Sequence, residues 1–320
     1  MSFRHWLPLY LEFSYNQVLT ANLSDSSEDE RFIIQCMILI KNIIECNEYS
    51  EEYSQLQESV DSQAIIKQFF SLSALTNLCK AIIVRHMPLT ISNLEDWSSD
   101  PENFWNESES DSWQDKRKPC AETLFITLLD KQKEILPLVV QLVQDLLKSQ
   151  NANTMDYLLL KDSCYTAIGL GYYYLYDYVD FNTWFSTDLT ADLKMNDPNY
   201  KIIQRRVAWL IGYWVGKISK DMRKNIYSTL LTLMYDKDLV VALTAAKSLK
   251  SLIDDVDFSV EVFIEFLEPT LQVLFKLLSQ VQECDAKLQV LDVVAVVISQ
   301  LESKVIHTFI FVLYFNMFYF

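Results

Sequence analysis

The side chains that most often catalyse reactions or bind metals are scattered along this chain. The three histidines lie far apart and form no metal-ligand spacing: His5, His86 and His307. No CxxC pair occurs among the six cysteines, and each sits within or beside an apolar helical stretch: Cys36, Cys46, Cys79, Cys120, Cys164 and Cys284. We therefore expect buried free thiols in a reducing compartment, and no metal centre.

Glycine motifs also offer little chemistry. Gly169-Leu170-Gly171 follows a helical pattern rather than a strand, so it lacks the context of a dinucleotide-binding loop. Gly212 and Gly216 form a GxxxG motif in only about ten apolar residues, which favours close helix packing over a membrane dimer. The sequence contains no GxxxxGK[ST], no HExxH, and no Ser or Cys nucleophile with a nearby histidine. We expect no catalytic residues, no cofactor and no enzyme activity.

The densest group of charged side chains lies between residues 95 and 115, where eight carboxylates occur without one basic residue. Aromatic residues are interleaved with them. Such a segment can hold a basic, partly extended peptide by charge, cation–π contact and apolar anchoring. We predict an acidic inter-helix loop at about 89–118, and the alternative is a merely solvated insertion. The predicted partner-contact residues are Glu95, Asp96, Trp97, Asp100, Glu102, Trp105, Glu107, Glu109, Asp111 and Trp113.

Net charge narrows the class of partner. A formal charge of −16 and a pI near 4.6 disfavour nucleic acid, because phosphate binding needs a positive face. The tight basic clusters Arg205-Arg206 and Lys116-Arg117-Lys118 are interpreted as solvated helix ends rather than phosphate sites. An acidic field favours basic protein ligands, and the alternative is that the charge only keeps the protein soluble.

Composition predicts long helices with short joints, since only 4 of 320 residues are glycine and 7 are proline. Asp180, and either Asp236 or Asp238, stand where helix N-caps are expected. The apolar periodicity predicts helices over 3–20, 29–47, 60–85, 119–131, 134–149, 154–178, 181–193, 201–218, 221–235, 238–253, 259–281 and 285–304.

One apolar pattern that follows a proline, which we call the proline phrase, occurs twice. Counted from Pro137 and from Pro269, both copies are apolar at positions +2, +5, +6 and +9, which is one face of a helix. Proline is tolerated near the first turn of a helix, so we expect both prolines there. The copies lie three units of roughly 44 residues apart, within the range of HEAT repeats, and the stretch Trp6–Tyr10 is a third, weaker copy.

A second repeated pattern of apolar residues also supports a HEAT-repeat fold. Counted from Asp162, Asp238 and Asp285, the positions +3, +8 and +11 hold apolar or tyrosine residues in all three copies. We therefore predict an all-α protein, an α-solenoid of HEAT/armadillo-like helical hairpins rather than a closed bundle. About six hairpins are expected over 1–304.

Met1–Phe13 is interrupted by Pro8 and Glu12 and does not resemble a secretory signal. The apolar tail 305–320 is interpreted as a non-native or truncated end. Its run from Phe309 is shorter than the roughly 20 residues that span a bilayer, so we expect no stable membrane insertion. A membrane anchor and a buried terminal helix or strand are the alternatives.

Seven segments carry a family resemblance in their order and spacing: Asp111–Trp113, Arg117–Ile126, Leu160–Leu170, Val179–Phe181, Arg205–Gly212, Asp238–Val241 and Glu283–Asp285. They resemble the importin-β (karyopherin) family, in particular its importin-eleven branch. The similarity extends from about residue 3 to about residue 304.

This resemblance implies a HEAT-repeat nuclear transport receptor that shuttles between nucleus and cytoplasm through the nuclear pore. Such receptors bind cargo on inner helices, contact nucleoporin Phe-Gly repeats through outer-helix grooves, and release import cargo when Ran-GTP binds. The family's principal Ran surface lies in amino-terminal repeats, so this chain is expected to be a central fragment. A HEAT scaffold that holds other proteins in a static assembly, such as a phosphatase or proteasome adaptor, is the alternative function.

Overall fold

A computed structural model describes residues 6–21, 27–46, 57–108, 114–148 and 154–319. Within these ranges the regular structure is helical, and no strand occurs. The α-helices are α1 (Leu7–Thr20), α2 (Ser27–Glu45), α3 (Gln57–Phe69), α4 (Leu72–Ala81), α5 (Ile91–Ser99), α6 (Pro101–Ser108), α7 (Arg117–Lys131), α8 (Leu136–Lys148), α9 (Met155–Leu170), α10 (Tyr172–Leu175), α11 (Phe181–Trp184), α12 (Thr190–Leu193), α13 (Lys201–Tyr213), α14 (Lys220–Met234), α15 (Leu239–Ile253), α16 (Val260–Gln280) and α17 (Cys284–Tyr319). Single π-helical turns continue α4 over Ile82–His86 and α11 over Phe185–Leu189.

Local capping explains where several helices begin. Asp180 accepts a hydrogen bond from the Thr183 N–H at 3.1 Å, and Asp238 caps α15, so both predicted N-caps are confirmed. Ser71 caps α4 and divides the helix predicted over 60–85 into α3 and α4. Similarly, the helix predicted over 154–178 ends at Leu170, because glycine at position 171 is a poor helix former.

Two compact units make up the chain. The first comprises 1–88 and 111–179, and the second comprises 89–110 and 180–320. In the first unit α1 pairs with α2, α8 pairs with α9, and the π-helical end of α4 pairs with α7. Helices α1, α4 and α8 pack side by side, and so do α2, α7 and α9. Each hairpin therefore contributes one helix to each of two layers.

The second unit repeats this two-layer arrangement. Helix α12 packs against α13, α14 against α15, and α16 against α17. One layer contains α13, α15 and α17, which contact one another in that order, while α14 packs on α16 in the other layer. Gly212 of α13 permits a close approach, since a Cβ there would lie 2.8 Å from the Ser248 Oγ of α15. The helix-packing role predicted for this glycine is confirmed.

The two copies of the proline phrase differ in the structure. Pro137 is the second residue of α8, as predicted. Pro269 lies in the interior of α16, so its predicted first-turn position is wrong. Leu267, Leu271 and Leu274, which flank it, are fully buried. Tertiary packing of that face therefore stabilises a helix that proline would interrupt in isolation.

The segment predicted as an acidic loop forms two helices, α5 and α6. Thr90 and Asn93 form a reciprocal capping box that starts α5. Pro101 occupies the first position of α6, where its fixed backbone angle suits a helix, and Asp100 accepts a hydrogen bond from the Asn103 N–H at 3.2 Å. We call residues 90–108 the acidic insertion. It belongs to the second unit, although its neighbours in sequence, α4 and α7, belong to the first.

Helix α17 extends beyond the predicted end near 304 and continues to Tyr319. The side chains after Leu301 lie outside the described residues, so the interpretation of the 305–320 tail stays a prediction. Among the residues that the structure describes, no helix combines the length and apolarity needed to cross a bilayer.

Candidate functional site

The acidic insertion lies against the beginnings of three helices in one layer of the second unit. Helix α6 packs on α15 and on α17, and Trp97 of α5 contacts side chains from the first two turns of α13. Trp97 and Phe104 stack with ring centroids 5.1 Å apart, which joins α5 to α6. Both rings are buried, so the insertion is a packed element of the unit.

Asp238 is the polar centre of this contact. Its carboxylate accepts hydrogen bonds from the indole Nε1 of Trp97 at 3.0 and 3.1 Å. It also accepts from the backbone N–H groups of Val240 and Val241, which begin α15, and pairs with the Lys201 Nζ at 3.0 Å. One side chain thus caps a helix, satisfies a buried indole and neutralises a lysine.

Two basic side chains of α13 lie against the aromatic rings. Lys201 Nζ is 4.8 Å from the centroid of the Trp97 ring, and the Arg205 guanidinium carbon is 5.6 Å from the same ring and 5.3 Å from Phe104. Arg205 and Arg206 are both buried within α13. Their interpretation as solvated helix ends is therefore wrong, because both side chains are buried against aromatic rings: the Arg206 guanidinium carbon lies 4.6 Å from the centroid of the Trp209 ring.

Glu102 attaches the insertion to α17. Its carboxylate accepts hydrogen bonds from the backbone N–H of Gln282 at 2.9 Å and of Glu283 at 2.8 Å. These N–H groups precede the first turn of α17, where the helix dipole favours a negative charge. Glu102 is 8% exposed, so this contact holds most of its carboxylate away from solvent.

The predicted partner-contact residues fall into three groups. Trp97, Glu102 and Trp105 are buried, and the first two make the contacts described above. A second group is exposed on the insertion: Glu95, Asp96, Asp100 and Glu107. The third group lies outside the described residues: Glu109, Asp111 and Trp113. Among the described members of this set, the exposed side chains are therefore carboxylates and the aromatic side chains are buried.

Burial holds several potentially reactive groups of the described chain in their neutral forms, but Cys46 is half-buried and Cys284 is exposed, so the prediction of buried thiols is wrong for these two cysteines. Burial lowers the pKa of His86 to about 4, although a hydrogen bond from its Nε2 to the Val18 carbonyl, 2.8 Å long, opposes this shift. Burial raises the pKa of the Cys79, Cys120 and Cys164 thiols to about 12. Among the described residues no group of three or more His, Cys, Asp or Glu side chains could hold a metal ion.

Sequence comparison places the chain among known proteins. Importin-11 of Mus musculus and Importin-11 of Homo sapiens are each 37% identical to it, over 95% of this chain and 32% of their own length. Importin beta-like protein KAP120 of Saccharomyces cerevisiae is 28% identical over 73% of this chain and 23% of its own length. The chain belongs to the importin-β (karyopherin) family. No protein-family model matches it.

The fold of this karyopherin is also found among solved structures. Lph2, described as a bidirectional nuclear transport receptor of S. cerevisiae, matches it with a TM-score of 0.80 at 24% identity, over 92% of this chain and 31% of Lph2. At that identity the likeness shows the fold alone, and it confirms the predicted α-solenoid. The karyopherin chain spans about a third of the length of the Importin-11 proteins that it matches.

Sequence reasoning missed the basic half of this site in the karyopherin. The sequence pattern does not assign Lys201 or Arg205 to the acidic segment, and it predicts Asp238 as a helix cap but not as a partner of Trp97. A signal was present, because Trp97 and Phe104 need a partner for their ring faces and a basic cluster begins α13. Matching these aromatic rings to the basic side chains of α13 requires knowledge of which helices are neighbours.

Proposed function

We propose that this chain is a segment of a nuclear import receptor that binds basic cargo proteins through the exposed carboxylates of its acidic insertion. Similarity to Importin-11 over 95% of the chain supports the receptor role. The exposure of Glu95, Asp96, Asp100 and Glu107 supports the choice of surface. The segment binds and releases protein cargo and performs no chemistry on it.

The family suggests how such a segment takes part in transport. Its cargo is released when Ran-GTP binds the receptor, and nucleoporin Phe-Gly repeats make weak contacts with its outer helices. The receptor therefore shuttles between cytoplasm and nucleus and passes through the nuclear pore. Its partners in this proposal are basic proteins, Ran-GTP and nucleoporins, and not nucleic acid, which the net charge of −16 repels.

The surface is tested with a fluorescent lysine- and arginine-rich peptide titrated with the purified chain at several salt concentrations. We expect affinity to fall as salt rises, because exposed charges are screened over about 10 Å at 0.1 M salt. The variant with all four carboxylates neutralised should bind at least about fourfold more weakly, since each exposed pair contributes roughly 0.2–1 kcal/mol. Its substitutions are Glu95→Gln, Asp96→Asn, Asp100→Asn and Glu107→Gln.

A control variant loses the same charge from exposed carboxylates of the first unit. Its substitutions are Glu12→Gln, Glu134→Gln, Asp145→Asn and Asp156→Asn. It should bind the peptide nearly as well as the unchanged chain. Equal weakening in both variants would show a general charge effect and overturn the assignment of this surface.

Transport itself is tested with the complete natural protein and a bound basic cargo. Adding Ran loaded with GTP should dissociate the complex, while Ran loaded with GDP should leave it intact. A complex that ignores both nucleotide forms would overturn the receptor role and favour a static HEAT scaffold.

A further inference from the structure

We propose that the acidic insertion is a brace that makes the beginnings of α13, α15 and α17 open and close as one body. In a helical repeat stack each hairpin normally touches only its neighbours, so stability is a sum of local terms. Helices α13 and α17 are separated by α15 in their layer. The insertion contacts all three, and therefore adds a coupling that the repeats alone lack. The brace does not depend on the proposed cargo or transport role.

The first anchor of the brace is Trp97. Its ring lies against Lys201 and Arg205 of α13, while its Nε1 donates to Asp238 at the start of α15. The ring is 1% exposed, so releasing it exposes a large apolar surface and leaves a lysine and a carboxylate without their indole partner. This anchor thus joins two of the three helices.

Glu102 forms the second anchor, at α17. Both of its oxygens accept from the Gln282 N–H, and one accepts from the Glu283 N–H, all at 2.8–2.9 Å. Each of the two amides has a carboxylate acceptor because the insertion is docked. If the insertion detaches, both amides lose that acceptor and the start of α17 loses a favourable charge.

A rigid link connects the anchors. The stacked rings of Trp97 and Phe104 fix α5 on α6, and Trp105 beside Phe104 is 2% exposed. Only five positions separate Trp97 from Glu102 in sequence, and capped helices occupy most of that distance. The insertion therefore cannot leave α13 and α15 while staying in place on α17. We expect docked and released states rather than a gradual loosening.

The coupling is tested by hydrogen exchange of the full chain, read at the Gln282 and Glu283 amides. Trp97 does not touch these amides, so independent contacts predict no change there when Trp97 is altered. The brace predicts that Trp97→Ala accelerates their exchange by at least about tenfold, together with exchange at Val240 and Val241. Asp96→Asn, an exposed change in the same helix, is the control and should leave all four amides unchanged.

A milder variant keeps the test decisive if Trp97→Ala unfolds the second unit. Trp97→Phe retains a ring and removes the indole donor, and it should accelerate the same four amides by a smaller factor. Amides of α9, in the first unit, should exchange at the unchanged rate in both variants. The brace would be overturned if, in both variants, exchange became faster at Val240 and Val241 but stayed at the unchanged rate at Gln282 and Glu283.

A double-mutant cycle gives an independent readout. If the anchors act together, Glu102→Gln should accelerate exchange at Val240 and Val241, whose N–H groups it does not contact, and its effect should multiply with that of Trp97→Phe, because both substitutions destabilise one docked state. Unchanged exchange at Val240 and Val241 in Glu102→Gln, with and without Trp97→Phe, would mean separate contacts, and the brace would be abandoned.

Discussion

The indole Nε1 of Trp97 donates hydrogen bonds to both carboxylate oxygens of Asp238, 141 residues further along the chain. The same carboxylate is the N-cap of α15 and the ion-pair partner of Lys201. A buried tryptophan needs an acceptor for its N–H, and a helix start needs one for its orphan amides. Asp238 meets both needs with one side chain, so we expect the second unit to be unusually sensitive to its loss.

Replacement of Asp238 by alanine should lower the free energy of unfolding by about 2–4 kcal/mol. Loss of the cap contributes about 1 kcal/mol, and the unsatisfied buried indole contributes about 1–3 kcal/mol. The measurement is urea denaturation followed by circular dichroism. Asp254→Ala, at the opposite end of α15, is the control and should be neutral or slightly stabilising, since a carboxylate opposes the dipole there. Equal effects of the two substitutions would contradict the role given to Asp238.

Arg205→Lys should destabilise the second unit by about 1–2 kcal/mol although the charge is kept. The planar guanidinium lies against two aromatic rings, and an ammonium group lacks that flat stacking surface. Thermal unfolding provides the measurement. The charge-preserving control is Lys220→Arg, because the Lys220 side chain is 77% exposed. This substitution should change stability by less than about 0.5 kcal/mol. An unchanged midpoint in Arg205→Lys would show that stacking contributes little.

Gly212→Ala should destabilise the chain by about 1–3 kcal/mol, despite the higher helix propensity of alanine. The added Cβ would lie 2.8 Å from the Ser248 Oγ and 3.3 Å from its Cα, so α13 and α15 would have to separate. Gly216→Ala is a control from the same motif, because a Cβ there meets nothing within 4 Å. Denaturation midpoints of the two variants should move apart, and coincident midpoints would argue against close packing at Gly212.

His86 should make stability fall as the pH is lowered. Burial, together with nearby Arg117 and Arg85 and against the hydrogen bond to Val18, depresses the pKa of His86 from the ordinary 6.5 to about 4. Between pH 6.5 and 4 the unfolded chain binds a proton that the folded chain refuses, so stability is complete above pH 6.5 and is lost towards pH 4. The loss should reach up to about 3 kcal/mol.

His86→Gln isolates this contribution, since its amide N–H can still donate to the Val18 carbonyl and does not titrate. Unfolding free energies of both proteins should be measured from pH 7.5 to pH 4. Carboxylate titrations cancel in the difference between the two curves. A difference that stays constant with pH would exclude His86 as the source.

Much of the architecture followed from sequence periodicity. Paired helices were predicted because backbone hydrogen bonds within a helix are local, and an apolar stripe at helical spacing requires a partner face. Pro269 shows the limit of such rules: its buried flanking leucines keep α16 continuous where proline alone predicts an end or a start. Tyr173 shows another, since it lies at position +11 from Asp162 in the second repeated pattern and is 73% exposed.

The candidate site was only half visible. Charge identified the carboxylates of the acidic insertion, and four of them are exposed as a binding surface requires. Trp97, Glu102 and Trp105 lie in the same acidic stretch of sequence as the exposed carboxylates, yet they are buried. Amino-acid composition does not distinguish an exposed aromatic side chain that could bind another protein from one that is buried within its own unit.

By itself the sequence determined that this chain is helical, repetitive, acidic and related to karyopherins, because each of these properties is carried by residues close together along the chain. Only the tertiary structure decided that the acidic insertion folds onto α13, α15 and α17. That outcome depends on the partners Trp97–Asp238 and Glu102–Gln282, which are more than a hundred residues apart. Contacts of such separation leave no periodic trace in a single sequence, since they arise only when packed helices bring their ends together.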